Sequence, residues 1–242
     1  MFNTSCTHTP TGDVTAAESS GLRIGQRSGW RRRLISSLAA ALTATTGLLA
    51  LGGTAGAEAL PTNALAPQVV MMATAAIVSL DEFAVTGDPV DFQEYKEVRT
   101  QTARLAAQQL GYGEVDMIRA WSSTPLDHQR AVLAAMTQLG VPYRTNTSQE
   151  GVGFDCSGLT TYAWARAGVA LFHQSGTQIH DAAPRDRFTA KAGDLVYYPG
   201  HVMMYLGVGD AIIHAMQTGR TVEIDTISAR RTNSVRFGDP AP

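Results

Sequence analysis

Hydrophobic positions change spacing several times along this chain, and each change marks an element. Arg31-Arg32-Arg33 precede an apolar run from Leu34 to Leu51, rich in Ala, Ser and Thr. A second run, Val69 to Val78, is shorter than the about 20 residues a membrane-spanning helix needs. It reads as a helix docked on the rest of the chain or as a linker, and docking is favoured because an exposed apolar run invites association. Residues 81–91 carry Asp81, Glu82, Asp88 and Asp91 with Gly87 and Pro89, the composition of a turn-rich boundary. From Asp91 the helical period begins: Phe92, Tyr95, Val98, Thr102 and Leu105 recur at threes and fours, with Arg99 and Arg104 off the stripe, up to Gly111. The stripe is too short for a coiled coil and suits a face packed on a neighbouring domain.

Thr124 as N-cap and Pro125 at the first helical position open the next helix, which buries Ala131, Leu133, Ala134, Met136 and Leu139 and stops at Gly140. A polar loop, residues 144–153, then leads into a helical pattern of Leu159, Tyr162, Ala163 and Arg166 closed by Gly168. Residues 170–191 read as loop. Beyond them the period falls to two, predicting strands at Asp194–Tyr198, His201–Leu206, Asp210–Ala215, Thr221–Ile224 and Ser234–Phe237. Helices followed by a meander of short strands predict an α+β fold, helices packed on a short antiparallel sheet, preceded by a helical N-terminal segment.

Composition adds limits rather than a function. A chain of 242 residues with 44% hydrophobic content supports one packed domain plus appendages. Its net charge of −2 and the lack of a basic stripe argue against a nucleic-acid partner. The charged start, the run Leu34–Leu51 and the small residues Ala55-Gly56-Ala57 predict a signal peptide over residues 1–57 cleaved after Ala57. Arg31-Arg32 fits the twin-arginine route, and the general route stays open. A retained anchor is the alternative, since the 18 residues of the run could just span. Cleavage predicts a secreted or wall-associated monomer with no stable membrane span, divided into a linker and helical segment at 58–121 and a catalytic domain at 122–242.

Cleavage also removes Cys6 and leaves Cys156 as the sole cysteine. A solitary cysteine is either an inert small hydrophobe or a reactive thiol. Cys156 stands in the first turn of its helix behind Asp155, a suitable N-cap. Unpaired N–H groups and the helix dipole favour a thiolate there. Two histidines follow on strands. Alternation puts His201, Met203 and Tyr205 on one face. A hairpin turn centred between Val208 and Gly209 sets His214 opposite Met203, one diagonal pair from His201, about 7–8 Å apart at Cα. A one-residue slip would separate them. The arrangement reads as a nucleophile, Cys156, its base, His201, and an orienting third group, His214. The Cys156 N–H and the Tyr143 hydroxyl are candidates for an oxyanion hole. Asp155 reads as a cap or a substrate ligand, and Ser157 as an exposed first-turn residue or a substrate contact. A Cys-His-His zinc site uses the same residue types but lacks a local metal-ligand pair. His128 reads as a solvated helix residue, His180 as surface, and His173 as surface or groove lining.

Gly140-Val141-Pro142-Tyr143, Phe154-Asp155-Cys156-Ser157-Gly158-Leu159, Ala192-Gly193-Asp194-Leu195-Val196, Gly200-His201-Val202 through Tyr205-Leu206-Gly207, and Ile213-His214-Ala215 together resemble the NlpC-type cell-wall cysteine peptidases, over roughly residues 125–242. The resemblance implies a papain-like α+β domain with Cys156 as nucleophile, His201 as base and His214 as third polar residue. Tyr143 matches the family tyrosine near the oxyanion hole. The implied substrate is the peptidoglycan stem peptide, cut between D-glutamate and a diamino acid such as meso-diaminopimelate, with no metal or organic cofactor. Leu171-Phe172-His173-Gln174-Ser175-Gly176 departs from the family's usual Pro-Arg-Thr/Ser segment, which leaves side-chain preference open. Met203-Met204 stands where small or aliphatic residues are common, a change that bears on packing. A domain that grips stem peptides without cutting them, or a thiol amidase or acyltransferase on another substrate, are the rival functions. The segment 58–121 is expected to pack across or beside the groove and limit activity.

Overall fold

A computed structural model describes residues 60–242. The predicted signal peptide, residues 1–57, lies outside the described residues.

Pro67 in its first turn starts α1, Ala66–Thr86, and Gly87 ends it at φ 65° in the left-handed region. Asp88 then caps α2, Pro89–Leu110, by accepting a hydrogen bond from the Val90 N–H. The turn-rich boundary expected at 81–91 is therefore only a two-residue connection, because Asp81 and Glu82 ride on the outer side of a continuing helix. Asp81 pairs there with Arg130 at 2.5 Å. At 21 residues, with mean hydropathy 1.6 over an 18-residue stretch, α1 is long and apolar enough to cross a bilayer, and it extends beyond the run 69–78 expected. One of its faces is nevertheless packed in protein: Val69, Ala73, Ala76, Ile77 and Leu80 join the main core.

α2 lies against α1 and sends Tyr95 and Thr102 inward, as the stripe predicts. Arg99 is also buried, contrary to expectation. Its guanidinium donates to Gln129 Oε1 at 2.6 Å, and the Tyr95 hydroxyl donates to the same oxygen at 2.6 Å. Two short helices follow, α3 (Glu114–Ser123) and α4 (Leu126–Met136). Pro125, not Thr124, holds the N-cap position of α4, since the Thr124 hydroxyl donates instead to the Ala192 carbonyl at 3.1 Å.

A two-stranded ribbon, β1 (Ser148–Gln149) and β2 (Gly153–Phe154), delivers the chain to α5, Cys156–Arg166. The stretch 170–191, expected as loop, contains α6 (Ser175–Asp181) and β3 (Ala183–Arg185). The Gln174 side chain caps α6 at the Thr177 N–H. β4 (Leu195–Tyr198), β5 (His201–Tyr205), β6 (Ala211–Ala215), β7 (Val222–Thr226) and β8 (Arg236–Asp239) complete one antiparallel sheet in the order β3-β8-β4-β5-β6-β7. The five predicted strands are all present within two residues of their expected bounds, and the fold is α+β.

One side of the sheet carries Val202, Met204, Leu206 and Ile213 into the core shared with the helices. The other carries Val196, Met203, Tyr205, Ile212 and Phe237 into a smaller cluster. Where the first side meets α4 and β8, His128 is fully buried rather than solvated. Its Nε2 lies 3.0 Å from Asp239 Oδ1 and 3.4 Å from Asp194 Oδ1, and its Nδ1 lies 2.9 Å from Asp127 Oδ1. Burial opposes protonation of this ring, but hydrogen bonds to Asp194 and Asp127 outweigh it and raise the pKa. The cluster ties α4 to one end of the β4–β8 pair, where Asp194 and Asp239 stand side by side.

Candidate active site

The first turn of α5 is set by Asp155. In extended conformation at the N-cap, it accepts the Gly158 N–H at 2.7 Å and the Ser157 hydroxyl at 3.2 Å on the same carboxylate oxygen, Oδ1. His173 Nε2 approaches that oxygen at 2.7 Å. Ser157 is thus buried and turned to the cap, not exposed. Gly158 must be glycine here: a Cβ would stand 2.1 Å from the Thr147 carbonyl oxygen, backbone that cannot give way.

Cys156 follows as the first residue of the helix, half-buried. The Val202 amide faces its sulfur, as do the amides of Cys156 itself and Ser157, and all three favour the thiolate. The thiol thus lies near the start of β5, where Val202 follows His201. Burial pushes its pKa up, Asp155 adds to this, and the N–H donors oppose it without reversing it.

β5 and β6 pair at Met204–Ile213 and Tyr205–Ile212, the register expected from the turn. Past the last of these pairs the imidazoles meet, with His201 Nε2 3.0 Å from His214 Nδ1. His201 is buried at 6% exposure, and burial followed by the neighbouring His214 lowers its pKa to about 3. With Nε2 committed to His214, Nδ1 is the ring nitrogen left to exchange a proton with a thiol. His214, 5% exposed, turns its own Nε2 towards Asp225 Oδ2 at 3.7 Å and Glu223 Oε1 at 3.9 Å, both on β7. Burial opposes ionisation of Asp225, yet His214 and the Thr226 N–H hold its pKa below the usual carboxylate range.

Two tyrosines flank the sulfur. Tyr143, half-buried, bridges to Phe154 and has its pKa raised by burial and then by the charges of Cys156 and Asp155. Tyr198 was not singled out by the sequence. It sits directly across β4–β5 from His201, with ring centroids 5.2 Å apart. Its raised pKa reflects burial first and, among smaller effects, the nearby Cys156. Its signal was the Tyr197-Tyr198-Pro199-Gly200 hairpin, which brings the end of β4 back to the start of β5. His173, expected as surface or groove lining, is part-buried on the Asp155 cap.

Burial drives both members of the Cys156–His201 pair to their uncharged forms. A thiol at Cys156 and a neutral imidazole at His201 are the forms that burial favours. Alkylation of Cys156 by iodoacetamide should therefore climb with pH to a midpoint alkaline of the ordinary thiol range. A plateau reached below neutrality would instead reveal a standing thiolate–imidazolium pair. Residues 140–237 match the NlpC/P60 family. The murein DD-endopeptidase MepH of Escherichia coli strain K12 is 35% identical over 108 residues, covering 38% of this chain and 38% of that protein. The peptidoglycan endopeptidase RipA of Mycolicibacterium smegmatis is 36% identical over 108 residues, covering 38% of this chain and 22% of that one. The chain thus spans well under two thirds of the length of these relatives. Among solved structures, RipD of Mycobacterium tuberculosis, described as a non-catalytic NlpC/P60 domain protein adapted to peptidoglycan binding, aligns with TM-score 0.39 at 25% identity over 48% of this chain and 98% of that one. The segment 140–237 belongs to the NlpC/P60 family.

Proposed function

We propose that this NlpC/P60 domain is an exported cysteine endopeptidase that hydrolyses peptidoglycan stem peptides, at the bond between D-glutamate and meso-diaminopimelate, in wall remodelling or cell separation. The observation that carries the reading is the junction at β5. The Val202 amide faces the Cys156 sulfur, and His201, next to it on β5, has one ring nitrogen tied to His214 at 3.0 Å and the other left for the thiol proton. The names of MepH and RipA support the substrate class.

In the proposed reaction His201 Nδ1 takes the thiol proton as Cys156 Sγ attacks the peptide carbonyl. His201 becomes an imidazolium, which its buried site resists, so His214 Nδ1 must accept the Nε2–H and share the charge. The oxyanion forms near the Cys156 N–H and the Tyr143 hydroxyl. Collapse of the intermediate breaks the C–N bond, the leaving amine takes the proton back from His201, and a thioester remains. His201 then deprotonates a water that attacks the thioester and frees the thiol.

The test is mass spectrometry of defined stem peptides, monomeric and cross-linked, incubated with the protein and with Cys156→Ala. A fragment pair split after D-glutamate, absent with Cys156→Ala, is expected. Cleavage confined to the cross-link would move the specificity to the D,D bond in MepH's name. Measurable binding with no fragments from either protein would overturn the enzyme reading in favour of a peptide-gripping domain.

A further inference from the structure

Behind the histidine pair lies a group of atoms that the proposed reaction does not use. His214 Nε2 and Glu223 Oε1 are both buried and neither has a hydrogen-bond partner. They face one another at 3.9 Å, and Asp225 Oδ2 completes the triangle 3.7 Å from the same nitrogen. The side chains of His214 and Glu223 are 6% and 2% exposed, so both unpartnered atoms are aimed into the protein at one point. Asp225 is 39% exposed on its side chain and opens the group to a cleft of about 210 Å³ that is also lined by Tyr198, Met216 and Arg231. Arg220 Nη2 pairs with the other oxygen of Glu223, Oε2, at 2.5 Å and leaves Oε1 to the triangle.

One imidazole nitrogen and two carboxylate oxygens are a donor set for a divalent transition metal. Ligands about 2.1 Å from a tetrahedral ion stand roughly 3.4 Å apart, a few tenths of an ångström closer than either carboxylate oxygen stands to His214 Nε2, and all three atoms lie within 4.8 Å of one another. The half-exposed Asp225 side chain can make up that difference, and the cleft leaves the fourth position to solvent. We propose that His214, Glu223 and Asp225 form a site for one divalent transition-metal ion such as Zn²⁺, and that its occupation switches His201 off.

The switch follows from proton positions and rests on the reading of His201 as the base. Without metal, the His214 Nε2–H points at the two carboxylates, so His214 Nδ1 accepts the His201 Nε2–H and His201 Nδ1 keeps its lone pair for the thiol. A metal on His214 Nε2 displaces that proton. Neutral His214 then carries its hydrogen on Nδ1 and donates it to His201 Nε2. The displaced proton settles, through solvent, on His201 Nδ1. No proton is gained or lost overall, but His201 now presents an N–H to the thiol and cannot take its proton. Its imidazolium form is equally disfavoured, because the Nε2–H would face the Nδ1–H of His214.

Co²⁺ is the probe, titrated into the protein, Cys156→Ala, Asp225→Ala and Glu223→Gln and read by visible absorption. The expected result is one ion per chain in the parent and in Cys156→Ala, without a thiolate charge-transfer band. Binding should be weaker by at least about tenfold in Asp225→Ala and in Glu223→Gln, which keeps the Arg220 contact. Zn²⁺ should displace the probe, and slowing of stem-peptide cleavage should need at least about tenfold more Zn²⁺ in Asp225→Ala than in the parent. Unchanged binding in both β7 variants, or loss of binding in Cys156→Ala, would overturn the site. A protein that binds Co²⁺ as expected and cleaves no stem peptide would uphold the site and fail the peptidase reading alone.

Discussion

His201→Ala should lower stem-peptide cleavage by at least about 10³-fold, within the range a positioned acid–base group supplies, while the chain stays folded. The loss follows from the site's electrostatics. Cys156 sits where burial raises its pKa, so few molecules hold a thiolate at neutral pH without a base to take the proton. Removing the imidazole leaves His214 Nδ1 buried without its 3.0 Å partner, at a cost of about 1–3 kcal/mol. Such a cost lies within the about 5–15 kcal/mol by which a domain of this kind is stable, so circular dichroism should show the fold retained. His214 variants sharpen the assignment. His214→Ala removes the acceptor that shares the imidazolium charge, whereas His214→Gln offers an amide oxygen to His201 Nε2–H. Activity should rank parent, then His214→Gln, then His214→Ala, with the change in kcat rather than KM because His214 is not placed to touch substrate. A His201→Ala protein that cleaves at the parent rate would remove His201 from the reaction.

What could be read from the residues depended on how local the determining contacts are. The register of the β5–β6 hairpin was legible because a glycine-bounded turn and strict alternation leave one pairing that keeps Val202 and Met204 inward. The Asp155 cap was legible because capping is decided within three residues. α6 was missed because it is short and polar, and its position is set by Gln178, whose side chain reaches the Ser157 and Phe172 carbonyls at 3.0 and 2.8 Å. His128 was misread because its partners are remote in sequence, Asp239 lying 111 residues away. Arg99 was left off the buried stripe for the same reason: Gln129 is supplied by another helix. Tyr198 escaped notice because strand pairing, not spacing, sets it against His201. The carboxylates behind His214 were likewise hidden, since β7 brings Glu223 and Asp225 to that ring only once the sheet is assembled.

A chain beginning at residue 122 should fail to fold, and this bears on what the helical segment before it does. α1 packs on α2 and α4, and α2 reaches β7, so the helices lie along the α4 side of the domain and its β7 edge. Asn63 fastens the start of the segment by donating to Thr221 Oγ1 at 3.2 Å and to the Val222 carbonyl at 3.0 Å. The buried Trp121 donates its indole N–H to the Leu206 carbonyl at 3.0 Å and would go with them. Val69, Ile77, Leu80, Tyr95, Met117 and Trp121 share one continuous core with Leu133, Met136 and Leu159. Each large apolar side chain contributes about 1.5–3 kcal/mol on burial, so losing six partners forfeits about 9–18 kcal/mol, as large as the about 5–15 kcal/mol that stabilises an ordinary domain. Gln129 would also lose both buried donors, Tyr95 and Arg99. The expected outcome is an aggregated or molten product without a cooperative thermal transition, set against a cooperative one for a chain beginning at residue 60. A soluble, cooperative chain from residue 122 that cleaves stem peptides faster than the longer one would instead make the segment a restraint on the groove. The packing favours scaffold over restraint: α4 and the edge strand that carries Glu223 and Asp225 behind His214 are both held from the N-terminal side.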